Sequence, residues 1–128
     1  EIAGSVKGVP QHKLGNRVDV LDACPKAEGI MMMIRSMSPD VIIVDEIGRK
    51  EDCDAIIEAL NAGVQMIMTI HANGLEDIYL RPMLKPIMES HVFERFVELT
   101  RHGVPGFVKA IRDQNGKNLL PQKKERAQ

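Results

Sequence analysis

The densest apolar run in the chain is Val41-Ile42-Ile43-Val44, and two acids, Asp45 and Glu46, follow it directly. A short β-branched run that is apolar at consecutive positions suits a strand buried on both faces, as in the middle of a parallel sheet. Upstream, Ala27, Ile30, Met31, Ile34 and Met37 recur at the i, i+3, i+4, i+7 spacing of one helix face. Pro25 suits the first turn of that helix, where a missing N–H costs nothing. Pro39 disfavours helical angles at Ser38, so the helix is expected to end near there. Downstream, Asp52 or Asp54 is placed to cap a second helix with Ala55, Ile56, Ala59 and Leu60 on one face, and Gly63 to end it in a left-handed turn. Val64 to Ile70 then reads as a second buried strand, finishing in Thr69-Ile70-His71. Helix, strand, helix, strand in this order implies a parallel pair with right-handed crossovers.

The flanks are less regular. Residues 1 to 24 mix Gly4, Gly8, Pro10 and Gly15 with Val18, Val20 and Leu21, a loop with one brief strand. Leu75, Ile78 and Tyr79 begin a short helix that Pro82 interrupts; Met83, Leu84, Ile87 and Met88 continue helically, with a kink expected at Pro86. Phe93 to Thr100 and Phe107 to Asp113 read as a hairpin joined through His102-Gly103-Val104-Pro105-Gly106, and Asn115-Gly116 as a turn. The expected organisation is one α/β block over residues 1–120 and a polar, basic tail over 121–128. The chain opens on Glu1 rather than Met and reads as part of a longer polypeptide.

Composition narrows the function classes. The chain has 128 residues, 44% hydrophobic and 27% charged, the balance of a soluble globular protein. A net charge of −1 gives no field that would gather nucleic acid or an anionic membrane. Tyr79, Phe93, Phe96 and Phe107 are the only aromatics, too few for a base-stacking platform. No apolar run reaches the roughly 20 residues of a membrane span, and no signal peptide opens the chain. Cys24 and Cys53 have no metal-type spacing and read as buried free thiols in a reducing compartment. His12, His91 and His102 share no ligand-like spacing, so a zinc site is not expected.

The chemistry lies at the strand ends. Adjacent acids at the carboxyl end of a buried strand have no stabilising purpose, since burying an unpaired charge costs several kcal/mol. That edge of an open α/β sheet is where ligands bind. The pattern is that of a Walker B strand: Asp45 would hold Mg²⁺ and Glu46 would orient and polarise the water that attacks the γ-phosphate of ATP. Thr69 and His71, at the same edge if the strands are parallel neighbours, would sense that phosphate. A ring-shaped ATPase also needs arginines that reach a neighbouring subunit's phosphates. Arg17, beside the brief strand, and Arg35, at the end of the first helix, are the candidates, with Arg49 third.

The stretches Arg35 to Arg49, Ala62 to Val64 and Met68 to Asn73 resemble the Walker B region and histidine box of the secretion-superfamily ATPases, the motors of type II and type IV secretion and pilus retraction. Within that superfamily, Leu14 to Asp22 and Cys24 to Ile30 resemble the stage III sporulation protein AA family of endospore-forming bacteria, with likeness from Glu1 to about Leu120. The resemblance implies the C-terminal portion of a RecA-like P-loop NTPase: a mainly parallel sheet flanked by helices, with a C-terminal β-hairpin. It implies Asp45 as the Walker B aspartate, Glu46 as the catalytic glutamate, His71 as the histidine-box residue, and Arg17 and Arg35 as the trans-acting arginines. It further implies ATP and Mg²⁺, a hexameric homo-oligomer, and a cytoplasmic place at the inner face of the mother-cell membrane. The expected partner is an integral membrane protein of the channel linking mother cell and forespore, so membrane association is indirect and no nucleic acid is bound.

One departure is large. No Gly-x-x-x-x-Gly-Lys-Ser/Thr occurs in the chain; Gly116-Lys117-Asn118 lacks the first glycine and the hydroxyl. The strand bearing that loop is expected between the two readable strands, so the sheet should lack its central strand, leaving an exposed flank open to self-association, and this chain alone should be inactive. Two other readings compete: a RecA-like nucleic-acid motor, which salt-sensitive binding of single-stranded DNA would reveal, and a non-catalytic assembly module whose acids are relics.

Overall fold

The computed structural model of the chain describes residues 3–7, 9, 12–101 and 103–121. The fold is mixed helix and strand, in two compact units, Glu1–His71 and Ala72–Gln128. Of the expected basic tail, all but Pro121 lies outside the described residues, as does His102 in the hairpin loop.

In the first unit, α1 (Lys26–Ser36) and α2 (Lys50–Asn61) pack on each other, β1 (Val41–Val44) pairs with β2 (Gln65–Met68), and α2 touches β2. Pro25 stands just outside α1 as its cap residue, and its carbonyl accepts the Gly29 N–H at 2.9 Å. The helix ends at Ser36, and Ser38, before Pro39, takes a positive φ of 45°. The end of α2 is set by Gly63 at φ 82°. Its N–H donates to the Leu60 carbonyl and the Val64 N–H to the Ala59 carbonyl, the paired bonds of a Schellman motif. That turn buries Val64 and starts β2 in register: Val41 opposite Gln65 through Val44 opposite Met68, parallel.

Ile30, Ile42, Ile47, Cys53, Ala55, Ile56, Ala59 and Val64 are buried in this unit. The parallel pairing expected from the helix–strand order is present, but the two strands bond directly to each other, so the strand expected between them has no place there; a further strand could join only at an outer edge of the pair. Burial on both faces is not found: Ile42 is 3% exposed but its neighbour Ile43 is 56% exposed, as is Ile67 opposite it at 59%. Among the described residues β1 has β2 as its sole strand neighbour, and only one face of the pair is covered. The brief strand expected over Val18 to Leu21 is not formed. That segment is irregular and mostly exposed, with no described strand beside it to take its backbone hydrogen bonds.

The second unit begins with α3 (Leu75–Leu80) and α4 (Lys85–Glu89). Arg81, before Pro82, turns extended and closes α3. Pro86 causes no kink, because α4 starts only at Lys85 and the proline sits in its first turn, where its lost N–H has no partner to forfeit. The hairpin of β3 (Arg95–Thr100) and β4 (Phe107–Asp113) is antiparallel with a bulge between Glu98 and Leu99. Leu75, Leu84, Ile87, Met88 and Ala110 are buried here. The expected turn at Asn115-Gly116 is tied by Asp113, whose carboxylate accepts the Asn115 and Lys117 N–H groups. No helix among the described residues is long and apolar enough to cross a membrane.

Candidate functional site at the end of the parallel strands

Because β1 and β2 run parallel and in register, their carboxyl ends deliver Asp45-Glu46 and Thr69-His71 to one edge. The ladder does not simply stop there. The Thr69 N–H donates to the Val44 carbonyl at 3.3 Å, as a regular parallel ladder requires. The next bond would run from the Glu46 N–H to the Thr69 carbonyl, but that carbonyl accepts the Ile47 N–H instead, at 3.1 Å. The Glu46 N–H goes to the Thr69 side-chain hydroxyl at 2.9 Å. One residue is thus inserted opposite Thr69, and it is Glu46.

The insertion puts Glu46 at a φ of 48°, a conformation disfavoured for an L side chain by about 1–2 kcal/mol. Strain of this kind persists only where surrounding bonds over-determine it, and it gathers at functional positions. The Glu46 carboxylate lies 3.3 Å from His71 Nε2; both side chains are largely exposed, at 56% and 74%. Asp45 is half-buried beside it. Beyond Glu46 the chain is drawn back into the core by buried Ile47, and Asp52, 6% exposed, receives the Gly48 N–H at 3.4 Å and the Arg49 N–H at 3.2 Å. Arg49 is the cap residue of α2, so Asp52 binds the loop from the third helical position rather than from the cap itself. Two charge-assisted bonds offset the cost of burying that carboxylate.

Asp45, Glu46, Thr69 and His71 are therefore brought together. Arg17 and Arg35 are not joined to them by any hydrogen bond or ion pair among the described residues. Arg17 is exposed in the irregular segment before α1. Arg35 lies along a groove of about 550 Å³ formed by α1 and α2, with Met31, Met32, Asp54 and Glu58. Arg49 is exposed. Sequence reasoning missed Lys26, whose Nζ donates to the Glu46 carbonyl at 3.3 Å across twenty positions of chain. A lysine in the first turn of an amphipathic helix carries no periodic or motif signal that would single it out.

Among the described residues no three or more His, Cys, Asp and Glu side chains gather closely enough to form a metal site of protein ligands alone. The thiols differ from expectation in one respect: both are free, but Cys24 is exposed and only Cys53 is buried. Burial pushes the Cys53 thiol up, and Asp52 and Asp54 add to the shift, so it stays protonated and inert.

The fold and site define a class: an α/β chain whose parallel strands end in a paired acid and an imidazole, with one acid held on a bulged, left-handed turn. The particular family follows from comparison with known proteins. The family described as "Sporulation stage III, protein AA" matches residues 1–119, and the chain belongs to it. It is 58% identical over 120 residues to "Stage III sporulation protein AA" of Bacillus subtilis (strain 168), an alignment covering 94% of this chain and 39% of that protein. The chain thus spans well under half the length of that relative. No solved structure matches it.

Proposed function

We propose that this chain is the hydrolytic portion of a RecA-like P-loop ATPase that drives a sporulation-associated channel or secretion complex. The observation that carries the reading is the bulge after β1, which sets Glu46 apart from the apolar strand before it and brings its carboxylate beside His71 at the carboxyl edge of a parallel pair, next to Asp45. Membership of a sporulation family supports the setting. Whether a RecA-like sheet surrounds the pair is part of the same proposal.

The donor set fits magnesium. That ion prefers oxygen, keeps several of its waters, and is held in nucleotide sites by one or two carboxylates together with the substrate phosphates. Asp45 supplies such a carboxylate, with the Thr69 hydroxyl at the same edge. When bound, the ion would neutralise charge on the phosphates. Glu46, in the reading proposed here, accepts hydrogen bonds from the attacking water and takes its proton. His71 holds the Glu46 carboxylate and would report on the phosphate beyond it. Arg17 and Arg35, exposed and not bonded to Asp45 or Glu46 among the described residues, would act on a neighbouring subunit's nucleotide in a homo-oligomeric, hexameric ring. The expected partner is a membrane protein of the channel, met at the cytoplasmic face of the mother-cell membrane.

The test is Glu46→Gln in a full-length family member carrying this stretch, with Mg²⁺-dependent phosphate release as the readout. Loss of a positioned general base costs about 10²- to 10⁴-fold, so turnover should fall by at least about 100-fold with nucleotide affinity kept. Unchanged turnover would remove the catalytic assignment and leave a non-catalytic assembly module.

A further inference from the structure

We propose that Lys26 is a positioning residue for Glu46, one arm of a clamp that sets the backbone of that acid; the inference rests on the functional reading above. All three polar groups of Glu46 have partners. Its N–H donates to the Thr69 hydroxyl at 2.9 Å, its carboxylate faces His71 Nε2 at 3.3 Å, and its carbonyl accepts from Lys26 Nζ at 3.3 Å. Thr69 and His71 both come from the end of β2. Lys26 comes from the opposite direction in sequence, the first residue of α1, which Pro25 fixes in place.

The geometry gives Lys26 a task it shares with Thr69, holding the peptide plane that follows Glu46 from the opposite side. A peptide unit is planar, so the direction of the Glu46 carbonyl and that of the following Ile47 N–H are set together. Ile47 N–H is bound to the Thr69 carbonyl. Holding the Glu46 carbonyl and its N–H from two sides fixes both peptide planes flanking the residue, and so fixes the positive φ of 48° from which the side chain leaves the backbone. Without Lys26 one plane is pinned only by the Ile47 bond. A plane held by one bond tilts more readily than one held from both sides, and the Glu46 carboxylate then samples a wider range of directions. An exposed ammonium is well suited to this, because a charged donor makes a stronger bond to a carbonyl than a neutral one and pays no burial cost. Lys26 touches no reacting atom in this scheme; it acts through the orientation of Glu46.

The experiment compares Lys26→Met, Lys26→Arg and Glu46→Gln in the full-length protein, measuring kcat and KM for Mg·ATP hydrolysis and the thermal midpoint of each. The inference expects Lys26→Met to lower kcat by about ten-fold with KM within two-fold of the parent and an unshifted midpoint, as befits a half-buried residue at a helix start. Lys26→Arg, which keeps a long cationic donor, should recover most of the rate. A double variant, Lys26→Met with Glu46→Gln, should be no slower than Glu46→Gln alone, because the lysine acts only through the glutamate. Parent-like kcat in Lys26→Met beside a crippled Glu46→Gln overturns this inference and leaves the functional reading standing. A further loss in the double variant also overturns it, since Lys26 would then act on the substrate directly. Unaffected turnover in Glu46→Gln instead removes the functional reading, and the clamp with it.

Discussion

At the scale of single residues, the buried polar contacts divide by what they hold. In the second unit Glu98 is the acceptor for Arg112 Nε at 2.9 Å and for the Leu75 N–H at 3.3 Å, so one carboxylate joins the hairpin to the start of α3. The Arg112 guanidinium holds the Glu98 carboxyl below the ordinary glutamate value of 4.5; partial burial opposes this and the Leu75 N–H adds to it. A carboxylate with a depressed folded value contributes stability that is complete above its unfolded value and is lost as pH falls through the folded one. Melting temperature should therefore drop below about pH 4.5, the range in which an unfolded glutamate titrates. Arg112→Met should lower stability at neutral pH and flatten that acid limb. Some slope should remain from Asp77, whose carboxyl is also depressed, first by the Asn73 N–H and then by Arg81. An acid limb of unchanged steepness in the Arg112 variant would mean that Glu98 is not the group responsible. None of this was visible in the sequence, since the runs Arg95 to Thr100 and Phe107 to Asp113 do not alternate polar with apolar, and Val97 and Leu99 are exposed where Glu98 between them is more covered.

At the scale of elements, the legible parts were those fixed by local sterics. Pro25, Pro39 and Pro82 mark element boundaries because a ring at φ near −65° forbids most alternatives for its neighbours. Gly63 ends α2 because the C′ position of a Schellman turn needs a positive φ, here 82°. Nothing lies within 4 Å of a Cβ built there, so Gly63→Ala meets only the conformational cost, about 1–2 kcal/mol. A fall of that size in urea stability with an unchanged m-value is expected, and Gly63→Asn should lose less. Illegible parts were those decided by partners far along the chain. Val18, Val20 and Leu21 have strand-like side chains but no strand beside them to pair with among the described residues. Pro86 read as a kink because Met83 and Leu84 continue the apolar rhythm, yet the helix begins after them. The candidate site was legible in its residue types at Asp45, Glu46, Thr69 and His71. Its geometry was not, because a one-residue bulge and a lysine from another helix leave no pattern in a strand of four residues.

At the scale of the whole molecule, the question is what the chain can bind with the groups it has. A nucleotide triphosphate needs backbone N–H groups turned toward it and cations beside it. The natural place for such groups near Asp45 and Glu46 is the start of α2, just past the loop. There the Gly48 and Arg49 N–H groups already point at Asp52, so the chain's own buried carboxylate fills the role of the anion. The ammonium of Lys26 is turned to the Glu46 carbonyl. Two carboxylates stand at the strand ends, the net charge is −1, and no phosphate-loop sequence is present among the 128 residues. Repulsion and the lack of a cradle act in the same direction. The strand pair also lacks cover on one face, where Val41, Ile43 and Ile67 are exposed, and among the described residues no third strand extends either of its edges. Isothermal titration of this chain with a non-hydrolysable ATP analogue and Mg²⁺ should accordingly show no site tighter than about 100 μM, a free energy weaker than roughly −5.5 kcal/mol. Supplying the remainder of a family member's length should tighten it by orders of magnitude. A low-micromolar site on the chain alone would mean that it holds phosphate by groups other than a P-loop, and that Asp52 gives up its two N–H partners when nucleotide arrives.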